Sequence, residues 1–361
     1  MPSPPAAFVD ELVAALDPRS VIIDDPVVVR PASVAEVATV VRACARDSVA
    51  IVARGGDTGL SGGTDMPTDR RAIVLSLERL DQIESVDPER WTITAQAGVT
   101  IEALQEAAAA VDRKFAPDWG ARGSATIGGA IATDAGGNNV VRYGNLRDNV
   151  MGLEVVLPDG RVWDGRRALR KDSSGYDLKQ LFIGAEGTLG IVTSAVLKLV
   201  PSTPHTQSAL AAITDLDSLM PLLTLAHSHA PSLLTAFELL PDVAIERVRE
   251  RYGVAHPMST RAPHYILVTL ASSEPVTVPL TAFLAAAADA ELITDAVVAA
   301  TAEQETALWF LRDEIPPPRA YPDHHTLGLK LDTAVPIDRI SEFVGRVAAV
   351  SYTHLTLPTK I

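Results

Sequence analysis

Glycine gathers in three separate stretches of the first two hundred residues, and this placement constrains the chain more than any other feature. The first stretch, Arg54-Gly55-Gly56-Asp57-Thr58-Gly59-Leu60-Ser61-Gly62-Gly63, follows an apolar run at 49–53 that reads as a strand. Its five glycines free the backbone for positive φ and for close approach, so that successive N–H groups can point at one anion. No Gly-Lys-Ser/Thr follows, so it is not a Walker loop, and its spacing is not the G-x-G-x-x-G nicotinamide fingerprint. The second stretch is Pro117-Asp118-Trp119-Gly120 with the run Gly123 to Gly137, and the third is Gly184 to Thr193. Small residues and hydroxyls predominate in both, so backbone amides rather than long side chains must line whatever they touch. Each stretch alone is also accounted for by tight turns. Three of them over 54–193 imply one elongated ligand held along its length, because a single phosphate needs only one loop. A dinucleotide suits, with its pyrophosphate at the first loop and a planar ring system and sugar at the other two.

The length of 361 residues predicts two domains, and the formal net charge of −14 disfavours a nucleic-acid partner, which needs a broad basic surface. An anionic ligand therefore requires a local cationic pocket. The single cysteine, Cys44, excludes an intrachain disulfide and a cysteine-ligated metal centre, and it reads as a buried helix residue. The N-terminus lacks the basic and apolar regions of a secretory signal, and the apolar stretch at 280–300 is broken by Asp289, Glu291 and Asp295. A cytoplasmic location is expected, with no transmembrane segment.

Along the chain, Ser33 and Glu36 predict a capping box opening a helix over the following residues. Strands are expected at 49–53, 72–77 and 91–95, and a helix capped by Thr100 at 101–111. Leu153 to Leu157, Pro158-Asp159-Gly160 and Arg161 to Trp163 predict a hairpin. After Pro201 and Pro204 glycine becomes sparse, which places a boundary near residue 203. Strands around Ala209, Ala236 and Leu267, with helices at 279–288 and 302–312, predict an antiparallel sheet covered on one face. No solenoid repeat is visible.

The runs RGGDTGLSGG, PDWGARGSATIGGAIATDAGG, YGNLRDNVMGLEVVLPDG and KDSSGYDLKQLFIGAEGTLGIVT resemble the FAD-binding domain of the vanillyl-alcohol-oxidase and p-cresol-methylhydroxylase flavoproteins. Within that superfamily they are most similar to the D-lactate, glycolate and D-2-hydroxyglutarate dehydrogenase branch. The resemblance implies an α+β chain: a two-subdomain FAD-binding PCMH-type domain at 1–203, then an incomplete ferredoxin-like substrate or cap domain at 204–350. It further implies that Gly55, Gly56, Thr58 and Gly59 hold the pyrophosphate. Pro117, Asp118, Gly123, Ser124, Thr126, Gly128, Gly129 and Thr133 would line ribityl and flavin, and Glu186, Gly187, Ile191 and Val192 the adenine half. Some relatives attach FAD through a histidine after the paired glycines; Asp57 stands at that place, so non-covalent FAD is expected.

The same branch presents an arginine and a lysine to a substrate carboxylate, and Arg312 and Lys330 resemble them. The competing reading is a solvated helix-end charge and a surface strand residue. His227 and His229 lie on different helix faces, and His324-His325 read as surface-loop residues. The family's metal-binding and proton-abstracting histidines lie beyond text resembling Val335-Pro336-Ile337-Asp338-Arg339, so the catalytic base and any divalent metal of a full-length protein are expected outside these 361 residues. The tail at 351–361, SYTHLTLPTKI, is unlike the family's continuation and is expected to be non-native. The implied reaction is oxidation of a 2-hydroxy acid with hydride transfer to flavin, and a quinone, an electron-transfer protein or oxygen as acceptor. Oxidation of a sugar or other alcohol, and a truncated fragment that catalyses nothing, are the alternatives.

Overall fold

The computed structural model describes residues 3–315 and 333–354. The chain divides into two compact units, Met1–Ser202 and Thr203–Ile361.

The first unit opens with α1 (Ala6–Ala15), β1 (Val21–Ile22), β2 (Val28–Val29), α2 (Val34–Asp47), β3 (Ala50–Arg54) and β4 (Ala72–Ser76). These strands form one sheet in the order β1-β2-β4-β3, with β2 and β3 both parallel to β4. All five residues of β4 are buried, as an apolar strand covered on both faces requires. At the start of α2 the Ser33 hydroxyl accepts the Glu36 N–H at 3.2 Å. The Glu36 carboxylate returns to the N–H of Ala32 at 2.7 Å, one residue earlier than the capping box predicts. Val37, Val40, Val41 and Cys44 recur at helical spacing and are buried against α1 and the sheet. Burial pushes the Cys44 thiol up to about 12, which removes thiolate chemistry at neutral pH.

Next come β5 (Ile83–Asp87), β6 (Thr92–Gln96), α3 (Ile101–Ala109), β7 (Arg113–Lys114), α4 (Ile127–Ala132), α5 (Val140–Tyr143) and α6 (Leu146–Asn149). The unit ends with β8 (Val150–Val156), β9 (Val162–Asp164), β10 (Ile191–Lys198) and β11 (Val200–Pro201). Five of these strands make an antiparallel sheet in the order β5-β6-β10-β8-β9. The expected hairpin is β8–β9, closed by Gly160 at φ 79° and by the Leu157 N–H on the Arg161 carbonyl at 2.8 Å. Leu104, Ile127, Ile131, Leu153 and Leu197 share the core under this sheet, which fixes α3 and α4 against it.

The second unit comprises β12 (His205–Ile213), α7 (Leu219–His229), β13 (Leu234–Pro241), α8 (Asp242–Tyr252), β14 (His264–Ser272), α9 (Thr277–Asp289), β15 (Asp295–Val298), α10 (Ala302–Asp313) and α11 (Ile340–His354). Its antiparallel sheet runs β13-β14-β12-β15, the strand order of a ferredoxin-like fold. The sheet is covered on both faces, not on one. Ala209, Ala211, Ile266 and Val268 meet α7 and α9, whereas the alternate residues Leu210, Ala212, Tyr265 and Leu267 meet residues of α8 and α10. The text of β14, buried from Tyr265 to Ala271 with Thr269 as its one polar residue, carries that arrangement, because a half-covered strand needs polar residues at every second position. Helix α11 runs to His354, four residues past the expected end of native text at 350. Among the described residues no helix is long and apolar enough to cross a membrane.

Candidate cofactor site

The first glycine loop leaves the C-terminal end of β3, a parallel strand, where the Arg54 carbonyl still accepts the Leu77 N–H at 3.1 Å. It then lies directly on the second stretch. A Cβ on Gly55 would stand 2.2 Å from the Thr126 hydroxyl oxygen, and one on Gly56 would stand 1.7 Å from the Ser124 carbonyl oxygen. Any side chain at these positions would drive the two backbones apart. Asp57 takes the left-handed region at φ 53°, and its carboxylate accepts the Thr64 hydroxyl at 2.6 Å. Among the described residues, the amides of Gly55, Gly56, Thr58 and Gly59 meet no protein acceptor.

The second stretch is pinned at both ends of its turn. Gln105 Nε2 donates to the Pro117 carbonyl at 2.8 Å and to the Asp118 carboxylate at 3.2 Å, and Arg122 pairs with that carboxylate at 3.2 Å. The N–H groups of Ile127 and Gly128 donate to the carbonyls of Val99 and Ala97, each at 2.8 Å, and so fix the start of α4. A Cβ on Gly128 would fall 2.6 Å from the Ala97 Cβ. Thr126 is 6% exposed, and its Oγ1 is buried with no hydrogen-bond partner among the described residues. Gly123, Ser124 and Thr133 are exposed, and the Thr133 hydroxyl donates to the Gly129 carbonyl at 3.1 Å. Beside this stretch lies Lys114, a half-buried cation that sequence reasoning did not single out. Burial lowers its pKa, and Asp118 opposes the shift.

The third stretch joins the other two. The N–H of Gly184 donates to Ile131 at 3.0 Å and that of Glu186 to Ala132 at 2.8 Å. Glu186 and Gly187 are both left-handed, at φ 50° and 76°. A Cβ on Gly63 would stand 3.1 Å from the Glu186 carboxylate, and one on Gly187 would stand 3.6 Å from the Ala53 Cβ. Gly55, Gly56, Ser124, Thr126, Gly129, Glu186 and Gly187 are thus neighbours around the end of β3. Ile191 and Val192 differ: they lie in β10 with side chains buried in the unit's two separate cores, so only their backbone is available to a ligand.

In the second unit, Arg312 occupies the last turn of α10, where its Nε donates to the Glu238 carboxylate at 2.9 Å. Lys330, His324 and His325 lie outside the described residues. A cluster with no counterpart in the sequence reading is Asp242, Glu246 and His256, whose ligand atoms lie within 4.8 Å of one another. Its one legible signal was the i,i+4 spacing of the two acids on α8. Arg261 closes that cluster, reaching Asp242 and Glu246 at 2.7 Å each. Burial works to raise the Asp242 pKa, but the hydrogen bonds and charge of Arg261, with Tyr265 and His256, together outweigh it and hold the carboxyl below its usual range.

Residues 26–166 match the FAD binding domain family, and residues 202–358 match the C-terminal domain of FAD linked oxidases. The chain is 35% identical over 349 residues to the mitochondrial D-2-hydroxyglutarate dehydrogenase of Bos taurus, covering 93% of this chain and 63% of that protein. It is 40% identical over 286 residues to the D-2-hydroxyglutarate dehydrogenase of Xanthomonas citri pv. viticola, covering 79% and 60%. It is 34% identical over 289 residues to a D-2-hydroxyglutarate–pyruvate transhydrogenase of Saccharomyces cerevisiae, covering 79% and 58%. The chain therefore spans about three fifths of the length of these relatives. Among solved structures, alkyldihydroxyacetonephosphate synthase superposes with a TM-score of 0.68 at 19% identity, covering 86% of this chain and 66% of that one. Substrate-bound p-cresol methylhydroxylase gives 0.65 at 16%, covering 85% and 68%. These neighbours share the fold. FAD fits the residues present, because the loop offers unengaged amides over a glycine cradle and the buried Thr126 hydroxyl still needs a partner.

Proposed function

We propose that this chain, whose two halves belong to the FAD binding domain and FAD linked oxidase C-terminal domain families, serves a flavoenzyme that oxidises a 2-hydroxy acid of the D-2-hydroxyglutarate or D-lactate type. The observation that carries the reading is the meeting of Gly55 and Gly56 with Ser124 and Thr126, and of these stretches with Glu186 and Gly187. Bound FAD supplies the acceptor for the hydride taken from the carbinol carbon. The amides of Gly55, Gly56, Thr58 and Gly59 would hold the pyrophosphate, and the buried, unpartnered Thr126 Oγ1 would donate a hydrogen bond to the cofactor. Asp57 in place of a histidine, with its carboxylate bound to Thr64, leaves the cofactor without a covalent link. Arg312 orients the substrate carboxylate, with Glu238 setting the guanidinium plane through Nε. The electron acceptor is a quinone, an electron-transfer protein, oxygen or a 2-oxo acid.

The test is a visible spectrum of the purified 361-residue chain after incubation with FAD and gel filtration. Retained flavin bands are expected, and a colourless soluble protein would overturn the cofactor assignment. In the FAD-loaded protein, anaerobic D-2-hydroxyglutarate or D-lactate should bleach those bands. Bleaching by the matching alcohols but not by the acids would overturn the substrate assignment.

A further inference from the structure

We infer that Arg147 is a positioning residue that locks the second glycine stretch to the third and so sets how tightly FAD is held. The inference rests on the proposed reading of that crevice. Arg147 stands in α6, away from the glycine runs in sequence, yet its polar atoms reach the second stretch and the segment that leads into the third. Its backbone N–H and its Nε donate to the two oxygens of Asp134, at 2.9 and 3.1 Å, near the end of the second stretch. One terminal nitrogen, Nη1, donates to the Gln180 carbonyl at 3.2 Å and to the Gln180 side chain at 2.8 Å. The other, Nη2, donates to the Ile183 carbonyl at 2.7 Å, immediately before the third stretch begins.

Arg147 holds Asp134, a non-glycine residue in the left-handed region at φ 49°, and the Ile183 carbonyl, three residues before Glu186, which is also left-handed at φ 50°. Two backbone hydrogen bonds, Gly184 to Ile131 and Glu186 to Ala132, join the stretches, and the guanidinium braces that pair from outside. A Cβ on Gly184 would stand 3.3 Å from Nη2 and 3.4 Å from the Asp134 Cβ, so the glycine also makes room for the brace. The planar fork reaches one carboxylate and two carbonyls at once, whereas a lysine ammonium in that place satisfies at most part of the set. An ordinary exposed ion pair contributes little, but this one fixes three segments of a binding crevice.

The experiment compares Arg147→Met and Arg147→Lys with Arg166→Met. Arg166 serves as a control because its partners, Glu84, Glu154 and Asp164, belong to strands of the five-stranded sheet and not to the glycine stretches. Two readouts are taken on the full chain: FAD affinity from flavin fluorescence, and hydrogen exchange of residues 183–187 in the cofactor-free protein. Arg147→Met should weaken FAD binding by about tenfold or more and speed exchange at Gly184 and Glu186, with Arg147→Lys between it and the parent. Arg166→Met should lower the melting temperature without either effect. Parent-like exchange in Arg147→Met, or the same exchange pattern in Arg166→Met, would overturn the brace. A parent chain that takes up no FAD would overturn the cofactor reading instead, leaving exchange to judge the brace.

Discussion

Gly56→Ala tests the geometry of the crevice with a single carbon atom. The new Cβ would be placed 1.7 Å from the Ser124 oxygen, 2.6 Å from the Ser124 carbonyl carbon and 3.0 Å from the Ala125 Cα. All three are backbone atoms, so no rotamer change relieves the clash. Ordinary contact requires a separation of roughly 3.5 Å, so the loop must lift by about 1.5 to 2 Å. Overpacking of this kind costs about 1–3 kcal/mol, which lowers the melting temperature by several degrees. The displaced amides no longer converge on one anion, and a shift above about 1 Å at a polar site is expected to weaken FAD binding by about a hundredfold. Gly59→Ala is the matched control, since a Cβ there meets nothing within 4 Å. The assay is FAD titration of both variants beside thermal melts. Parent-like affinity and melting in Gly56→Ala would refute the argument that the two backbones lie in contact.

Thr126→Val should weaken FAD binding by about tenfold while leaving the cofactor-free protein as stable or more so, because it removes a buried hydroxyl with no protein partner; calorimetry and FAD titration read the two effects. Arg312→Ala should raise KM for a 2-hydroxy acid by about a hundredfold and change turnover of a carboxylate-free alcohol little, as measured by steady-state kinetics. Burial raises the pKa of Glu305, opposed by its hydrogen bond from Ser208, so the folded state favours the protonated acid. That stabilisation is complete below the unfolded value near 4.5 and is lost as pH rises through the folded pKa. Glu305→Gln should therefore melt higher than the parent at pH 7, with the difference closing as pH falls toward 4.5.

Local features were the legible ones. The Ser33 cap, the Thr100 cap and the Asp159-Gly160 turn each depend on neighbours within four residues, and the structure shows all three. The glycine stretches announced close backbone approach, because no other residue permits it. Two things were hidden. Which face of a sheet is covered depends on helices distant in sequence, so α8 and α10 on the second face could not be read from strand text alone. The Arg147 brace joins residues 13, 33 and 36 positions away, and nothing in a charged residue's own neighbourhood names such partners. Ile191 and Val192 show the converse, since apolar residues inside a ligand motif also serve the core.

Hydrogen exchange across an FAD titration asks most directly whether one flavin dinucleotide engages all three stretches. Slower exchange is predicted together in 55–59, 123–129 and 184–187, saturating at one equivalent of FAD. Binding that protects only one of these, or none, would contradict the account.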